Sequence, residues 1–195
     1  MSGAEAGRPS PPSRANPAGR ALPARKRAPQ AQPPAMRVRI RRATEEDLPA
    51  LQALERLCFQ PWRQASRTSL RRSLRSARQS VWVVDQPSSA DAGKVRRGGS
   101  PGLLAALVLW HHKTLLRVYG IATHPQARGQ GVGQALMAHA EDLARRAGCA
   151  WVSLEADPQE PGLVGWYERQ GYGVVARLPD FYGPRRHAVR LRKAV

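Results

Sequence analysis

Between Arg37 and Arg42 the sequence RVRIRR alternates valine and isoleucine with arginine, the two-residue period of a half-exposed strand. The period then lengthens. Leu48, Leu51, Leu54, Leu57 and Cys58 recur at helical spacing on one apolar face. Ahead of them Thr44 and Asp47 have capping-box spacing, and Pro49 sets the start of regular helix near Asp47. A second helix is predicted across Ser69–Arg78, with Leu70 and Leu74 inward. SVWVV, residues 80–84, reads as a strand, and Leu103–Trp110 and Leu115–Thr123 read as two more, joined near His111–Lys113. A helix follows with Val132, Leu136, Ala140, Leu143 and Ala147 along one side. Its surface offers a Glu141–Arg145 pair, and Gly148 is placed to end it. WVSLEA is another strand, a short helix carries Trp166 and Tyr167, and GVVARL and HAVRLRK close the chain as strands. This order predicts an α/β (α+β) protein: a mixed sheet with helices packed against it.

Composition adds boundaries. Residues 1–36 are rich in Pro, Ala, Arg, Gly and Ser, cannot bury enough apolar surface to offset the entropy of ordering, and are expected to be disordered. The folded domain is expected over 37–195, interrupted at 86–102 by a long mobile loop rich in Gly, Pro and Ser. The longest uninterrupted apolar run, Leu103–Trp110, is far short of the roughly 20 residues of a membrane helix, and the N-terminus has no apolar signal segment. A soluble, cytoplasmic protein without a membrane partner is expected. Cys58 and Cys149 both fall in apolar surroundings, as buried thiols rather than a disulfide or metal pair, and no histidine spacing matches a zinc site, so no metal is expected.

The formal net charge of +18 favours polyanions: a nucleic acid, a ribosome or a phosphorylated cofactor. A generally basic, solvated surface is the plainer reading. The stretch RGQGVG, Arg128 to Gly133, narrows the choice, because a strand that stops at a glycine-rich turn and enters a helix offers unpaired N–H groups and a positive dipole end to phosphate oxygens. It lacks the Gly-Lys-Ser/Thr ending of a nucleotide-triphosphatase loop. It also lacks the third glycine of a dinucleotide fingerprint, since Gln134 and Leu136 stand in the two available places.

A third pattern, Arg/Gln-x-x-Gly-x-Gly/Ala, is met by Arg128, Gly131 and Gly133. Here the chain resembles the GNAT superfamily of N-acetyltransferases, through IRRATEEDLPAL, RVYGIATHPQARGQGVGQALMAHAE and WYERQGYG, over about residues 37–195. The resemblance implies a mostly antiparallel central sheet that splays between two strands, flanked by helices. It implies acetyl-CoA as cofactor, with its pyrophosphate on the N–H groups of Arg128, Gly129, Gln130, Gly131, Val132 and Gly133. The pantetheine amides would pair with the backbone of Ile121, Ala122 and Thr123, as an added strand does.

Glu155 ends an apolar strand, where an acid is unusual without a partner or a task. The sequence is similar to that of RimI-type enzymes, which acetylate the N-terminal alanine of a ribosomal protein. In these a glutamate is the general base and a tyrosine twelve positions later the general acid, and Glu155 and Tyr167 have that spacing. The alternatives are an acid paired with one of the many arginines, and a tyrosine that packs beside the cofactor. Glu160 stands where the family often has Asn. The resulting expectation is acetyl transfer to a primary amine by direct attack. An α-amino or lysine group of a ribosomal or other protein is favoured over a polyamine, amino acid or antibiotic. A non-catalytic GNAT-fold protein that binds RNA or ribosomes through its basic surface is the alternative from another class.

Overall fold

The computed structural model describes residues 38–86 and 102–195. The expected disordered segment 1–36 and nearly all of the loop expected at 86–102 lie outside the described residues. The described elements are β1 (Ile40–Arg42), α1 (Leu48–Cys58), α2 (Arg67–Arg75), β2 (Gln79–Asp85), β3 (Leu103–His111), β4 (Leu115–Thr123), α3 (Val132–Arg146), β5 (Trp151–Ala156), α4 (Leu163–Glu168), β6 (Gly173–Gly183) and β7 (Arg186–Ala194). The strands form one sheet in the order β1-β2-β3-β4-β5-β7-β6. Every pairing is antiparallel except β4 with β5, whose connection runs through α3.

Each sheet face has its own core. On one, Val132, Leu136, Met137, Ala140 and Ala144 of α3 pack on Leu107 and Leu109 of β3, Leu116 and Val118 of β4, Val152 and Leu154 of β5, and Leu191 of β7. On the other, Leu48, Leu51 and Leu54 of α1 and Leu70 of α2 pack on Val81, Val83, Ala106 and Ala122. Leu136 is fully buried at the centre of the first core, so Leu136→Ala would cost about 2–5 kcal/mol.

Three differences from the expected elements have local causes. Helix α2 starts at Arg67 rather than Ser69, because Ser66 Oγ accepts the Ser69 N–H at 3.1 Å and caps it, a polar signal that the apolar period does not carry. Strand β6 continues past Leu178 to Gly183 through an irregularity in its pairing with β7, where Asp180 takes φ 51°. Glu141 does not pair with Arg145. It turns inward, is buried, and accepts from Tyr172 Oη at 3.0 Å and Lys193 Nζ at 2.7 Å, while Arg145 pairs with Asp142 instead. No helix among the described residues is long and apolar enough to cross a membrane.

Candidate active site

Strands β4 and β5 pair only from Leu115↔Trp151 to Val118↔Leu154, although β4 continues to Thr123. The parting coincides with a bulge. Val108 of β3 faces Gly120 and Leu109 faces Val118, so Tyr119 has no partner on β3. One extra residue reverses the side-chain alternation and bends the strand, and β4 swings away from β5. Before the bulge, Leu116 and Val118 face α3; beyond it, Ala122 joins the core beneath α1.

The edge exposed by this splay has defined polarity. The His124 N–H donates to Leu104 O at 2.8 Å. In an antiparallel ladder such pairs repeat every second residue, so the main-chain groups of Ala122 and Gly120 turn toward Ala106 and Val108. Those of Ile121 and Thr123 turn into the gap. Cys58 Sγ and Arg128 Nε both donate to Thr123 O, at 3.3 and 3.2 Å, which leaves the Thr123 N–H and the Ile121 N–H and C=O as its available groups. Of the three consecutive residues expected to meet a cofactor, Ile121 and Thr123 turn main-chain groups into the gap, whereas the main chain of Ala122 belongs to the β3 ladder.

The glycine-rich turn lies at the wide end of the gap. A 3-10 turn over Pro125–Ala127 leads to Gly129 and Gly131 in left-handed conformation, at φ 75° and 81°, and α3 begins at Val132. Glycine adopts that conformation without the Cβ strain that other residues meet there. The Ala135 N–H, bonded to Gly131 O at 2.9 Å, opens the helical ladder. The N–H groups of Gly129, Gln130, Gly131, Val132, Gly133 and Gln134 have no main-chain acceptor among the described residues. Together with the helix dipole they form an anion cradle. Arg128 is the exception within the expected set: its N–H closes the 3-10 turn on Pro125 O at 3.3 Å, and its Nε points back to Thr123. His124, beside the loop, accepts the Gln126 N–H on Nδ1.

Glu155 is held on both sides. Its Oε2 accepts from Arg117 Nε on β4 at 2.8 Å, and its Oε1 accepts from Arg190 Nε on β7 at 2.8 Å. The glutamate side chain is 5% exposed. Tyr182 Oη, from β6, donates to the Glu155 main-chain oxygen at 3.3 Å. Tyr167 is buried on α4 between Trp166 and Tyr172, and its hydroxyl makes no hydrogen bond among the described residues. Burial pushes its phenol above the usual tyrosine value; Tyr182 adds to the rise and Arg63 opposes it. Tyr182 is also raised, first by burial, with Arg63 opposing and Glu155 and Asp157 adding. Tyr167, Tyr182, Arg63 and Asp157 therefore share one electrostatic neighbourhood at the mouth of the splay.

Sequence spacing did not single out Arg117, Arg190, Tyr182, Arg63 or Asp157. Arg117 and Arg190 reach Glu155 from neighbouring strands 38 and 35 residues away in sequence, a register that no local pattern encodes. The unusual DPQEPGL segment was the one available signal, since it contains Asp157 and Glu160, both facing Arg63.

The same architecture occurs in solved structures. A ribosomal-protein-alanine N-acetyltransferase of Escherichia coli superposes with a TM-score of 0.68 at 19% identity, over 81% of this chain and 94% of that one. NAA60 of Arabidopsis thaliana in complex with acetyl-CoA gives 0.67 at 16% identity, over 81% and 98%. The spermidine/spermine N-acetyltransferase SpeG of Vibrio cholerae gives 0.60 at 15% identity, over 80% and 92%. At these identities the likeness is one of fold. The sequence itself matches the acetyltransferase (GNAT) family over residues 48–172, and with the splayed strands and the glycine turn already in place, the chain belongs to that family.

Proposed function

We propose that this protein transfers the acetyl group of acetyl-CoA, the donor used in its family, to a primary amine, with a protein α-amino or lysine group as the favoured acceptor. The observation that carries the reading is the run of unpaired N–H groups from Gly129 to Gln134 at the head of α3, opening onto the free edge of β4. A pyrophosphate fits that run without any cationic side chain. The Ile121 N–H and C=O and the Thr123 N–H suit the amides of an extended pantetheine arm. When bound, acetyl-CoA supplies an activated thioester carbonyl.

The acceptor's ammonium group must first lose a proton to water; the protein's part is then to orient the neutral amine, stabilise charge on the carbonyl oxygen as the C–N bond forms, and return a proton to sulfur as the C–S bond breaks. An N–H of the bulged β4 edge is suited to the oxygen. Tyr167 is suited to the sulfur, since burial keeps its hydroxyl protonated and no described residue claims it. A phenol so raised acts chiefly by hydrogen-bond donation rather than complete proton transfer. Glu155 meets an obstacle as general base, because both of its oxygens already accept from guanidinium groups. Proton uptake there would leave Arg117 and Arg190 without their anion. Its better role is to fix those arginines beneath the acceptor.

The test is calorimetric titration of acetyl-CoA into the full chain, followed by thiol release with a free-amino peptide, a lysine peptide and spermidine. One-to-one binding and peptide-dependent release are expected. Release with spermidine alone would move the acceptor to small polyamines, and absence of binding would refute the reading.

A further inference from the structure

Arg63, in the connection between α1 and α2, is an unusual arginine. Its side chain is only 18% exposed, yet it donates no hydrogen bond among the described residues. Its guanidinium instead sits among aromatic rings, 4.8 Å from the centroid of Tyr182, 5.7 Å from Trp62 and 5.8 Å from Phe59. Asp157 Oδ2 and Glu160 Oε1 face it at 3.9 and 3.8 Å, within ion-pair range but beyond hydrogen-bond length. Asp157 is buried and commits Oδ1 to the Gln159 N–H at 2.9 Å. It follows β5 directly, beyond the point where β5 parts from β4.

Three rings and two carboxylates around one guanidinium make a cation site. The occupant is the chain's own side chain, held by ring faces and loose ion pairs rather than by the fork geometry that normally fixes a buried arginine. Trp62 carries a second cation as well, with Arg186 3.9 Å from its ring. Arg186 stays on Trp62, but Asp157 and Glu160 both face the place that Arg63 fills, so vacating that place leaves two carboxylates there, which disfavours an anionic guest and favours exchange of one cation for another.

We propose that Phe59, Trp62, Tyr182, Asp157 and Glu160 form the docking site for the acceptor's ammonium group, and that Arg63 is a displaceable stand-in for it. The inference deepens the acetyltransferase reading and rests on it for the word acceptor. Arg63 swings out as the ammonium arrives, and Asp157 becomes the carboxylate that orients it; the docked group gives up one proton to water before its nitrogen attacks the thioester. The substrate class follows: an amine that arrives charged, rather than an aromatic or otherwise neutral amine. Glu160 thereby gains a task at the position where the family often has Asn.

The test uses n-butylammonium as probe, with n-butanol and butyrate as neutral and anionic counterparts. Each is titrated into the full chain and followed by tryptophan fluorescence, with Trp62→Phe identifying the signal. Arg63→Ala should bind n-butylammonium roughly ten-fold more tightly than the wild type, with no gain for butanol or butyrate. Asp157→Asn in the Arg63→Ala background should abolish the gain. Arg63→Gln, checked with Arg63→Ala by circular dichroism, guards against a folding defect and should show the same direction. Equal or weaker ammonium binding, or the same gain for butanol, would overturn the stand-in role, and butyrate binding that Arg63→Ala abolishes would recast Arg63 as an anion anchor. Failure of the acetyltransferase reading shows separately, as absent acetyl-CoA binding, and leaves this titration intact.

Discussion

Glu155 and Arg117 meet across the seam where β4 and β5 are about to part: Glu155 Oε2 accepts from Arg117 Nε at 2.8 Å and lies 2.7 Å from Nη2. With Arg190 on the opposite oxygen, the carboxylate ties three strands together beneath the splay. Removing its charge leaves two guanidinium groups facing each other, 24% and 33% exposed, so solvent screens part of the loss. Glu155→Gln is expected to cost about 2 kcal/mol of stability and to lower Tm by roughly 4–8 °C. Thermal melts of the two proteins check this. An unchanged melt with turnover abolished would restore Glu155 to the role of proton acceptor.

The two glycines Gly131 and Gly133 are not equivalent. Gly131 has φ 81°, so alanine there is strained by about 1–2 kcal/mol before any ligand is considered. Gly133 lies inside α3 with an ordinary helical backbone, and its added Cβ would stand 3.4 Å from Thr123 Oγ1 and Trp166 Cζ2. That contact is close but has room to relax, and the helix gains about 1 kcal/mol from alanine. Gly131→Ala should therefore melt lower and bind acetyl-CoA at least roughly ten-fold more weakly, through a distorted cradle. Gly133→Ala should melt within a few degrees of the wild type. Equal melting losses at both sites would contradict the left-handed turn.

The parts of this fold that were legible beforehand are those that local periodicity encodes. The β5 stretch WVSLEA and the inward face of α3 through Val132, Leu136 and Ala140 emerge where expected, because each carries its own apolar repeat. The glycine turn was readable for a similar reason, since left-handed backbone demands a residue type. The bulge at Tyr119 was not, because nothing in LLRVYGIAT marks which residue loses its partner until β3 is laid alongside. That unseen residue decides that Ile121 and Thr123, but not Ala122, face the gap. Glu141 shows the other failure: surface spacing offered Arg145, whereas a buried tyrosine and a lysine from β7 were the stronger partners.

Tyr167 offers a clean separation of packing from chemistry. Its ring is buried against Trp166 and Tyr172, while its hydroxyl makes no hydrogen bond among the described residues. Tyr167→Phe keeps the ring, so stability should change by less than about 1 kcal/mol and acetyl-CoA affinity should stay the same. On the proposed role of its hydroxyl as donor to the leaving sulfur, the substitution should lower kcat by roughly a hundred-fold. Steady-state kinetics alongside calorimetry tests this, and normal turnover in Tyr167→Phe would remove the tyrosine from the chemistry.

Stability should fall on mild acidification, with a source that can be located. His139 lies on α3 with its ring 4.3 Å from that of Trp82, and its buried Nε2 has no hydrogen-bond partner among the described residues. Burial holds its pKa below the ordinary histidine value; Asp142 works against the shift and Arg146 adds to it. His111 is lowered as well, by burial and then by Arg42. A histidine depressed in the folded state binds fewer protons than in the unfolded chain, so its contribution is intact above about pH 6.5 and is lost as pH falls below that value. Glu55 has the opposite sign: burial raises its pKa, and its contribution declines as pH climbs from its ordinary value near 4.5. Comparison of wild type with His139→Met between pH 7.5 and 5.5 cancels the Glu55 and His111 contributions. The wild type should lose more Tm over that interval than the variant, and parallel curves would mean that the His139 ring is hydrated in the folded protein.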